Sequence, residues 1–136
     1  MTEGFAADGR IQTAIAPWLS VRGGAQAVEF YRAAFGAVEL HRVDDPDGNV
    51  VARLALGRAE FWLSDESPAY DSVSPGPAGA SVRMILTVAD PDAVFAQALK
   101  AGAEEISPIT EGHGWRVGRL RDPFGHQWEI GRPDAS

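Results

Sequence analysis

The closing stretch of the chain, residues 118–130, carries the polar side chains whose types and spacing are most suggestive of chemistry. Its Asp-Pro pair and following glycine predict a tight turn between two strands. In the second of these strands Gln127 and Glu129 share one face, whereas Trp128 and Ile130 share the other. Because the apolar pair is expected to face the core, the carboxylate of Glu129 is left on the opposite face as a candidate functional group.

Composition limits the classes of protein that the sequence fits. The 136 residues, 45% hydrophobic and 23% charged, are typical of one globular domain. A formal net charge of −7 argues against a nucleic-acid partner, since phosphate binding needs an excess of Lys and Arg. No apolar run is long enough to span a membrane, and we expect no secretory leader. The absence of cysteine excludes disulfides and thiolate metal sites and fits a cytoplasmic location.

Hydrophobic spacing and turn residues divide the chain into two similar halves. The first half is predicted to form a strand at 13–21, a helix at 25–35 and strands at 37–43, 50–56 and 59–63. The second half is predicted to form a strand at 81–88, a helix after Asp90, and strands at 103–109, 115–120 and 126–130. Pro17 places the first strand at a sheet edge, because proline cannot donate a ladder hydrogen bond. We expect a first βαβββ module at residues 13–64, a linker at 65–80 and a second module at 81–132.

A direct comparison of the two halves supports an internal repeat. Residues 27–37 align with 93–103 without a gap, 19–21 with 86–88, and 61–63 with 128–130, at a spacing of 66 to 67 residues. A repeated four-stranded unit predicts an α+β domain of two curled sheets. The pocket is expected between the two sheets of one chain or between two chains.

Several segments resemble the vicinal oxygen chelate superfamily, which contains glyoxalase I, extradiol dioxygenases and bleomycin-resistance proteins. The matching segments are Leu19-Ser20-Val21, the helix with Phe35-Gly36-Ala37, the helix ending in Ala101-Gly102-Ala103, and Asp122-Pro123-Phe124-Gly125-His126-Gln127-Trp128-Glu129. The stretch His113-Gly114-Trp115-Arg116 is most similar to the PhnB-like branch. The resemblance covers about residues 15–132 and implies paired βαβββ modules around a pocket.

The family usually binds a divalent metal through His or Glu at four inward positions, on the first, fourth, fifth and eighth strands. Carried over to this sequence, those positions hold Ala16, Trp62, Arg83 and Glu129. Only Glu129 is a ligand of the family type, and arginine is a hydrogen-bond donor without a lone pair for a metal. We therefore expect no metal site and no cofactor.

A binding pocket is the predicted replacement for the metal site. Arg83 and Glu129 are expected to pair, directly or through water, beneath a cavity walled by Trp18 and Trp62. The alternative is that these four residues fill the interior as a structural ion pair and an aromatic core.

Other residues of the second module have predicted roles of less weight. Gln127, on the face of Glu129, and the aromatic Trp115 complete the set of candidate ligand-binding residues. His126 is expected to brace the turn and His113 to lie in an exposed loop. Three arginines are assigned to one solvated face of the penultimate strand: Arg116, Arg119 and Arg121.

Two functions from different classes follow from the resemblance. The first is a metal-free homodimeric binding protein that captures a small, partly aromatic or cationic molecule, as bleomycin-resistance proteins sequester their drug. The alternative is a metal-dependent lyase, isomerase or dioxygenase of the glyoxalase type. It would require Zn, Ni, Mn or Fe held by Glu129 together with His113 or His126. A protein that has no small ligand and only assembles with partners is the third hypothesis.

Overall fold

The computed structural model describes residues 9–134, which form two tandem βαβββ modules of the predicted α+β class. The first module comprises β1 (Trp18–Val21), α1 (Gly24–Phe35), β2 (Val38–Asp44), β3 (Val50–Leu56) and β4 (Ala59–Asp65). The second comprises β5 (Arg83–Thr87), α2 (Pro91–Ala101), β6 (Glu104–Gly112), β7 (Trp115–Arg121) and β8 (Gln127–Pro133). The connection between the modules includes one 3₁₀ turn at Pro68–Tyr70.

Each module forms its own four-stranded sheet with the same strand order. Sheet 1 runs β1-β4-β3-β2 and sheet 2 runs β5-β8-β7-β6, and the first two strands of each order are parallel whereas the other pairs are antiparallel. The repeat extends to the register, because Trp18 pairs with Trp62 just as Ile85 pairs with Glu129. The first strand lies at a sheet edge, as Pro17 predicted.

The first strand is shorter than the sequence predicted. It begins at Trp18, and the preceding residues 13–17 are exposed and lack regular structure. Pro17 accepts a hydrogen bond from the backbone N–H of Trp62 (2.9 Å) but has no N–H of its own to continue the ladder. Ile15, which lies within the predicted strand at 13–21, is 98% exposed.

The start of α1 depends on a carboxylate from another strand. Gly23, the residue before the helix, has no side chain to cap it, so Asp65 of β4 accepts hydrogen bonds from the backbone N–H groups of Gly23 (3.2 Å) and Gly24 (2.9 Å). The other oxygen of Asp65 accepts from the N–H of Val50 (2.7 Å). A Cβ on Gly24 would lie 2.6 Å from the Asp65 carboxylate, so only glycine allows this approach.

Aromatic packing joins the two modules into one core. The helices α1 and α2 pack together, and Tyr31 of α1 contacts Phe61 of sheet 1 and Trp128 of sheet 2. The buried carboxylate of Asp122 accepts hydrogen bonds from the Tyr31 hydroxyl (2.5 Å) and the Trp128 indole N–H (2.9 Å). Its second oxygen accepts two backbone N–H groups of the β7–β8 turn. The turn is thereby fixed to the helix of the other module.

Each sheet turns one face to this shared core and leaves the other without a helix. We call the helix-free side the open face of the sheet. Residues such as Leu63 and Ile130 are fully buried on the core side, whereas their neighbours Trp62 and Glu129 lie on the open faces. Both sheets bury their core side in this shared core, so each open face lies on the side of its own sheet away from the helices. Within residues 9–134 no helix is both long and apolar enough to cross a membrane.

Candidate functional site

The open face of sheet 1 carries a row of four large side chains, one from each strand. Cross-strand pairing places Trp18 beside Trp62, Trp62 beside Arg53, and Arg53 beside His41. The two indole rings are stacked, with centroids 5.4 Å apart and planes inclined by 6°. The guanidinium carbon of Arg53 lies 5.4 Å from the centroid of the Trp62 ring, within cation–π range. Trp62 is therefore enclosed between an indole and a cation.

Hydrogen bonds and an ion pair hold this row in place. The indole N–H of Trp18 donates to the hydroxyl of Ser64 (2.9 Å), which fixes the plane of the ring. Arg53 forms an ion pair with Glu60 at 3.8 Å. Trp18 is nonetheless 53% exposed, and it lines with Trp62 a cavity of about 680 Å³. One indole surface is thus oriented and open to a ligand.

The open face of sheet 2 carries the equivalent row with different chemistry. Glu129 lies between Ile85 and Arg119, and Arg119 lies beside Ser107. At a spacing of 66 to 67 residues, Glu129 is the counterpart of Trp62 and Arg119 the counterpart of Arg53. Both rows have an arginine on the third strand of the module, Arg53 on β3 and Arg119 on β7. They differ on the fourth strand, which carries Trp62 in sheet 1 and Glu129 in sheet 2.

Arg83 lies against Glu129 on the open face of sheet 2. The Nε atom of Arg83 is 3.4 Å from Oε2 of Glu129, and the two side chains are 49% and 21% exposed. Charged pairs with strong hydrogen bonds have N···O distances of roughly 2.7–2.9 Å. The two side chains are therefore in direct contact, but the contact is a single, loose one that water screens.

Arg119 and Gln127 form a second polar pair on this face. Nη2 of Arg119 donates to the side-chain oxygen of Gln127 (2.6 Å). Nε of Arg119 is buried and has no hydrogen-bond partner within residues 9–134. A cavity of about 270 Å³ on the same sheet is lined by Glu129, Trp115, Ile85, Val117 and Gly131, and not by Arg119 or Gln127.

The candidate residues occupy two separate places within one chain. Trp18 and Trp62 lie on the open face of sheet 1, whereas Arg83 and Glu129 lie on that of sheet 2. The two cavities at these faces share no lining residue. The cavity that Trp18 and Trp62 line is therefore not the one that Glu129 lines.

The three arginines of β7 do not share a face, which corrects the assignment made from the sequence. Arg119 and Arg121 lie on the open face, but Arg116 lies on the other side and donates to the carboxylate of Asp92 at the start of α2 (2.7 and 2.8 Å). Arg116 and Arg119 are three positions apart, and an odd interval places two residues on opposite faces of a strand. The hydrogen bonds raise the pKa of Arg116 and lower the pKa of Asp92.

The two histidines of the second module lie away from Glu129. Nε2 of His126 is 2.9 Å from the backbone oxygen of Ser20, and since a carbonyl only accepts, the ring nitrogen is the donor. His126 thus ties the β7–β8 turn to β1, in line with a bracing role. His113 lies in the β6–β7 turn, exposed and with a positive φ of 55°.

The donor set does not fit the divalent metal that the family resemblance implies. Of the four family positions, Ala16 and Trp62 offer no suitable donor, and Arg83 places a positive charge against the one carboxylate, Glu129. Among the described residues, no group of three or more His, Cys, Asp and Glu side chains is arranged to hold a metal ion.

Two arginines of the site were not identified from the sequence. Arg53 and Arg119 follow the same local pattern, Val-Ala-Arg-Leu at 51–54 and Val-Gly-Arg-Leu at 117–120, at a spacing of 66 residues. Extending the repeat alignment to the third strand of each module would have revealed this pair.

This chain is similar to known proteins both in sequence and in structure. The uncharacterized protein Rv0887c of Mycobacterium tuberculosis is 40% identical over 129 residues, covering 90% of this chain and 76% of that protein. The crystal structure of the Arabidopsis thaliana At5g48480 gene product matches with a TM-score of 0.70 and 29% identity, covering 88% of this chain and 98% of that one. A glyoxalase/bleomycin resistance protein/dioxygenase family enzyme from Burkholderia phytofirmans matches with a TM-score of 0.73 and 20% identity, covering 89% and 99%.

The sequence profile of the glyoxalase-like domain matches residues 18–131. This range begins at β1, ends within β8 and includes both modules together with every strand of the two open faces. The chain therefore belongs to the glyoxalase-like domain family, within the vicinal oxygen chelate superfamily.

Proposed function

We propose that this protein binds a small molecule with a planar aromatic portion, without a metal, in the manner of a sequestering binding protein. The observation that carries the proposal is the stacked pair Trp18–Trp62, whose outer ring is oriented by Ser64 and half exposed. An indole left in this position contributes less to the core than a buried one. Its fixed orientation and free surface suit a ligand ring instead.

Stacking supplies binding energy without a catalytic group. Aromatic pairs contribute about 0.5–1.5 kcal/mol beyond the area that they bury. Trp18 is already held by its hydrogen bond to Ser64, so little rotational freedom is lost when a second ring stacks on it. This preorganisation favours an aromatic ligand.

An aromatic ligand suits sheet 1 better than a cationic one. The guanidinium of Arg53 already lies over the ring of Trp62. A cationic ligand at the same row would bring a second positive charge close to Arg53, and like charges repel most strongly where water is excluded. Of the two ligand types considered from the sequence, the aromatic one is therefore preferred.

A second copy of the chain would complete the site. Large apolar side chains are exposed on both open faces, Val38 and Val43 on sheet 1 and Ile85 on sheet 2. In a two-fold dimer, sheet 1 of one copy would cover sheet 2 of the other, which gives two identical cavities. Each cavity would then contain the tryptophan stack of one chain and the Arg83–Glu129 pair of its partner.

The alternative function, a metal-dependent lyase, isomerase or dioxygenase, requires ligands that the open faces do not supply. Glu129 is engaged with Arg83, and His113 and His126 lie elsewhere. Membership of the PhnB-like branch and a cytoplasmic location stay predictions. Because the alternative function requires a bound metal ion, the metal content of the protein should be measured together with ligand binding.

Substitution of Trp18 tests the proposed function. We expect a neutral aromatic probe, indole-3-carboxamide, to shift the indole N–H resonance of Trp18 in a two-dimensional NMR titration. Trp18→Ala should weaken binding by roughly tenfold, because the stacking surface is removed. Trp18→Phe should retain part of the affinity.

The matched control is Tyr70→Ala, which removes an aromatic ring that is 85% exposed in the connection between the modules. Equal loss in Tyr70→Ala and Trp18→Ala would show non-specific binding and contradict the proposal. Stoichiometric Zn, Ni, Mn or Fe in protein purified without chelator would instead support the metal-dependent alternative.

A further inference from the structure

We propose that Arg119, held by Gln127, binds the carboxylate of the ligand, so that the ligand class of this site is aromatic carboxylic acids. This inference rests on the proposed function and extends it from a ring to a ring that bears an anion. Two observations support it: the charge balance of the open faces, and the unused hydrogen-bond donors of the Arg119 guanidinium.

Carboxylates balance three of the four strand arginines whose side chains lie on the open faces. Arg53 pairs with Glu60 at 3.8 Å, Arg83 with Glu129 at 3.4 Å, and Arg121 with Glu104 at 2.8 Å. Arg119 pairs with none of the carboxylates in residues 9–134; its partner is the neutral amide of Gln127. The open face of sheet 2 thus has one positive charge without a counter-charge, in a protein whose formal net charge is −7.

Most of the hydrogen-bonding capacity of Arg119 is unused. A guanidinium has five N–H donors, and the one that Arg119 uses within the described residues reaches Gln127. Its Nε is shielded from solvent and unpaired. A buried donor left without an acceptor is destabilising, and a permanently charged group in that position more so. Among the described residues, the hydrogen bond to Gln127 is the one interaction of Arg119 that offsets this destabilisation.

The position of Arg119 suits recognition rather than packing. It is the central residue of its row, between Glu129 and Ser107, and its counterpart in sheet 1 is Arg53 beside the tryptophan stack. The amide of Gln127 fixes Nη2 and so orients the planar guanidinium. A carboxylate matches that plane with two parallel hydrogen bonds, which a carboxamide cannot form.

In the two-copy cavity of the proposed function, the ligand ring would stack on Trp18 of one chain while its carboxylate reaches Arg119 of the other. Glu129, beside Arg119 on the next strand, would repel the ligand carboxylate, and Arg83 against Glu129 offsets part of that repulsion. The net negative charge of the protein would slow the approach of an anionic ligand. A preference for carboxylate ligands therefore has to come from contacts within the site.

The experiment compares two probes of the same shape, indole-3-carboxylate and indole-3-carboxamide, by calorimetric titration of the full-length protein at pH 8. We expect the carboxylate to bind at least tenfold more tightly to the wild type, since hydrogen bonds to charged groups are among the stronger ones. Arg119→Met should abolish this preference and leave the carboxamide affinity within about twofold. The matched control is Arg121→Met, on the same strand and face, which should keep the preference because Arg121 already has Glu104 as its partner.

Thermal melting of the unliganded variants supplies a second readout. Arg119→Met should melt at the same temperature as the wild type or higher, because the substitution removes an unpaired buried donor. A large fall in melting temperature would assign Arg119 a structural role and overturn the proposal. The Arg119 proposal would also be overturned if the two probes bind equally well, or if Arg119→Met keeps the preference for the carboxylate. In either case the proposed function stands, provided that binding still depends on Trp18. If neither probe binds, both the subsite and the proposed function fail.

Discussion

At the scale of single residues, the buried carboxylate of Asp122 is the group on which the junction of the two modules depends. It receives hydrogen bonds from Tyr31 of α1 and Trp128 of β8. We expect Tyr31→Phe to lower the free energy of unfolding by about 1–3 kcal/mol, because the charged acceptor loses a donor that water cannot replace. Urea denaturation measures the change, and Tyr70→Phe at the exposed second tyrosine should have no effect.

The same hydroxyl predicts how stability changes at alkaline pH. Burial, with the nearby Asp122 as a second cause, raises the pKa of Tyr31 well above its ordinary value of 10.0. Above pH 10 the unfolded chain ionises this tyrosine and the folded one does not, so the contribution is complete below pH 10 and is lost as the pH rises toward the folded pKa. The advantage of the wild type over Tyr31→Phe should therefore narrow between pH 10 and 11. A difference that stays constant would show that the Tyr31 pKa is ordinary.

Residue spacing predicted which residues of the site share a face, but not which charges are balanced. Strand periodicity correctly separated Glu129 from Trp128. The shared face predicted for the β7 arginines was wrong, because the odd interval between Arg116 and Arg119 places their side chains on opposite faces. Whether a given arginine meets a carboxylate depends on side-chain reach across strands, as in Arg121 with Glu104, and spacing along one strand does not contain that information.

At the scale of elements, the two helices begin in different ways. The N-terminus of α1 receives the carboxylate of Asp65 from β4, whereas α2 is capped by its own Asp90, which accepts from the N–H of Ala93 (3.2 Å). Asp65→Ala should cost roughly 2–3 kcal/mol, because three backbone N–H groups lose their acceptor, including that of Val50.

Asp90→Ala is the matched control for this substitution, with an expected cost of about 1 kcal/mol. Chemical denaturation of both variants gives the comparison. If both variants lose the same free energy of unfolding, the extra hydrogen bonds of Asp65 contribute no more stability than an ordinary helix cap.

Element order was predictable from the repeat, whereas some boundaries were not. The Gly36 stop of α1 and the closing turn follow from local chemistry that a sequence displays. The late start of β1 follows from the missing N–H of Pro17, and β2 and β6 each contain an irregularity at equivalent places, Glu39/His41 and Glu105/Ser107. Such shifts depend on the neighbouring strand and are not visible in one strand alone.

At the scale of the whole molecule, the sequence predicted two modules but not their mutual arrangement. That arrangement comes from ring contacts across the modules, such as Tyr31 with Trp128 and Phe61 with Trp128, between residues far apart in the chain. These contacts bury the core faces of both modules, and the cavity lined by Trp18 and Trp62 is separate from the cavity lined by Glu129.

This arrangement leads to a prediction about assembly. We expect the protein to be a dimer of about twice the 14.5 kDa chain mass in light scattering coupled to gel filtration. Ile85 is 62% exposed on the open face of sheet 2, and Ile85→Asp should shift the protein toward the monomer, because a carboxylate would have to be buried without a partner. Tyr70→Asp, which charges a residue that is 85% exposed and lies outside the open faces, should leave the dimer intact. The Ile85→Asp variant keeps Trp18. If this variant is monomeric and no longer binds indole-3-carboxamide, the binding site is formed by both chains. If the wild type is a monomer and still binds the probe with full affinity, the two-chain cavity is contradicted.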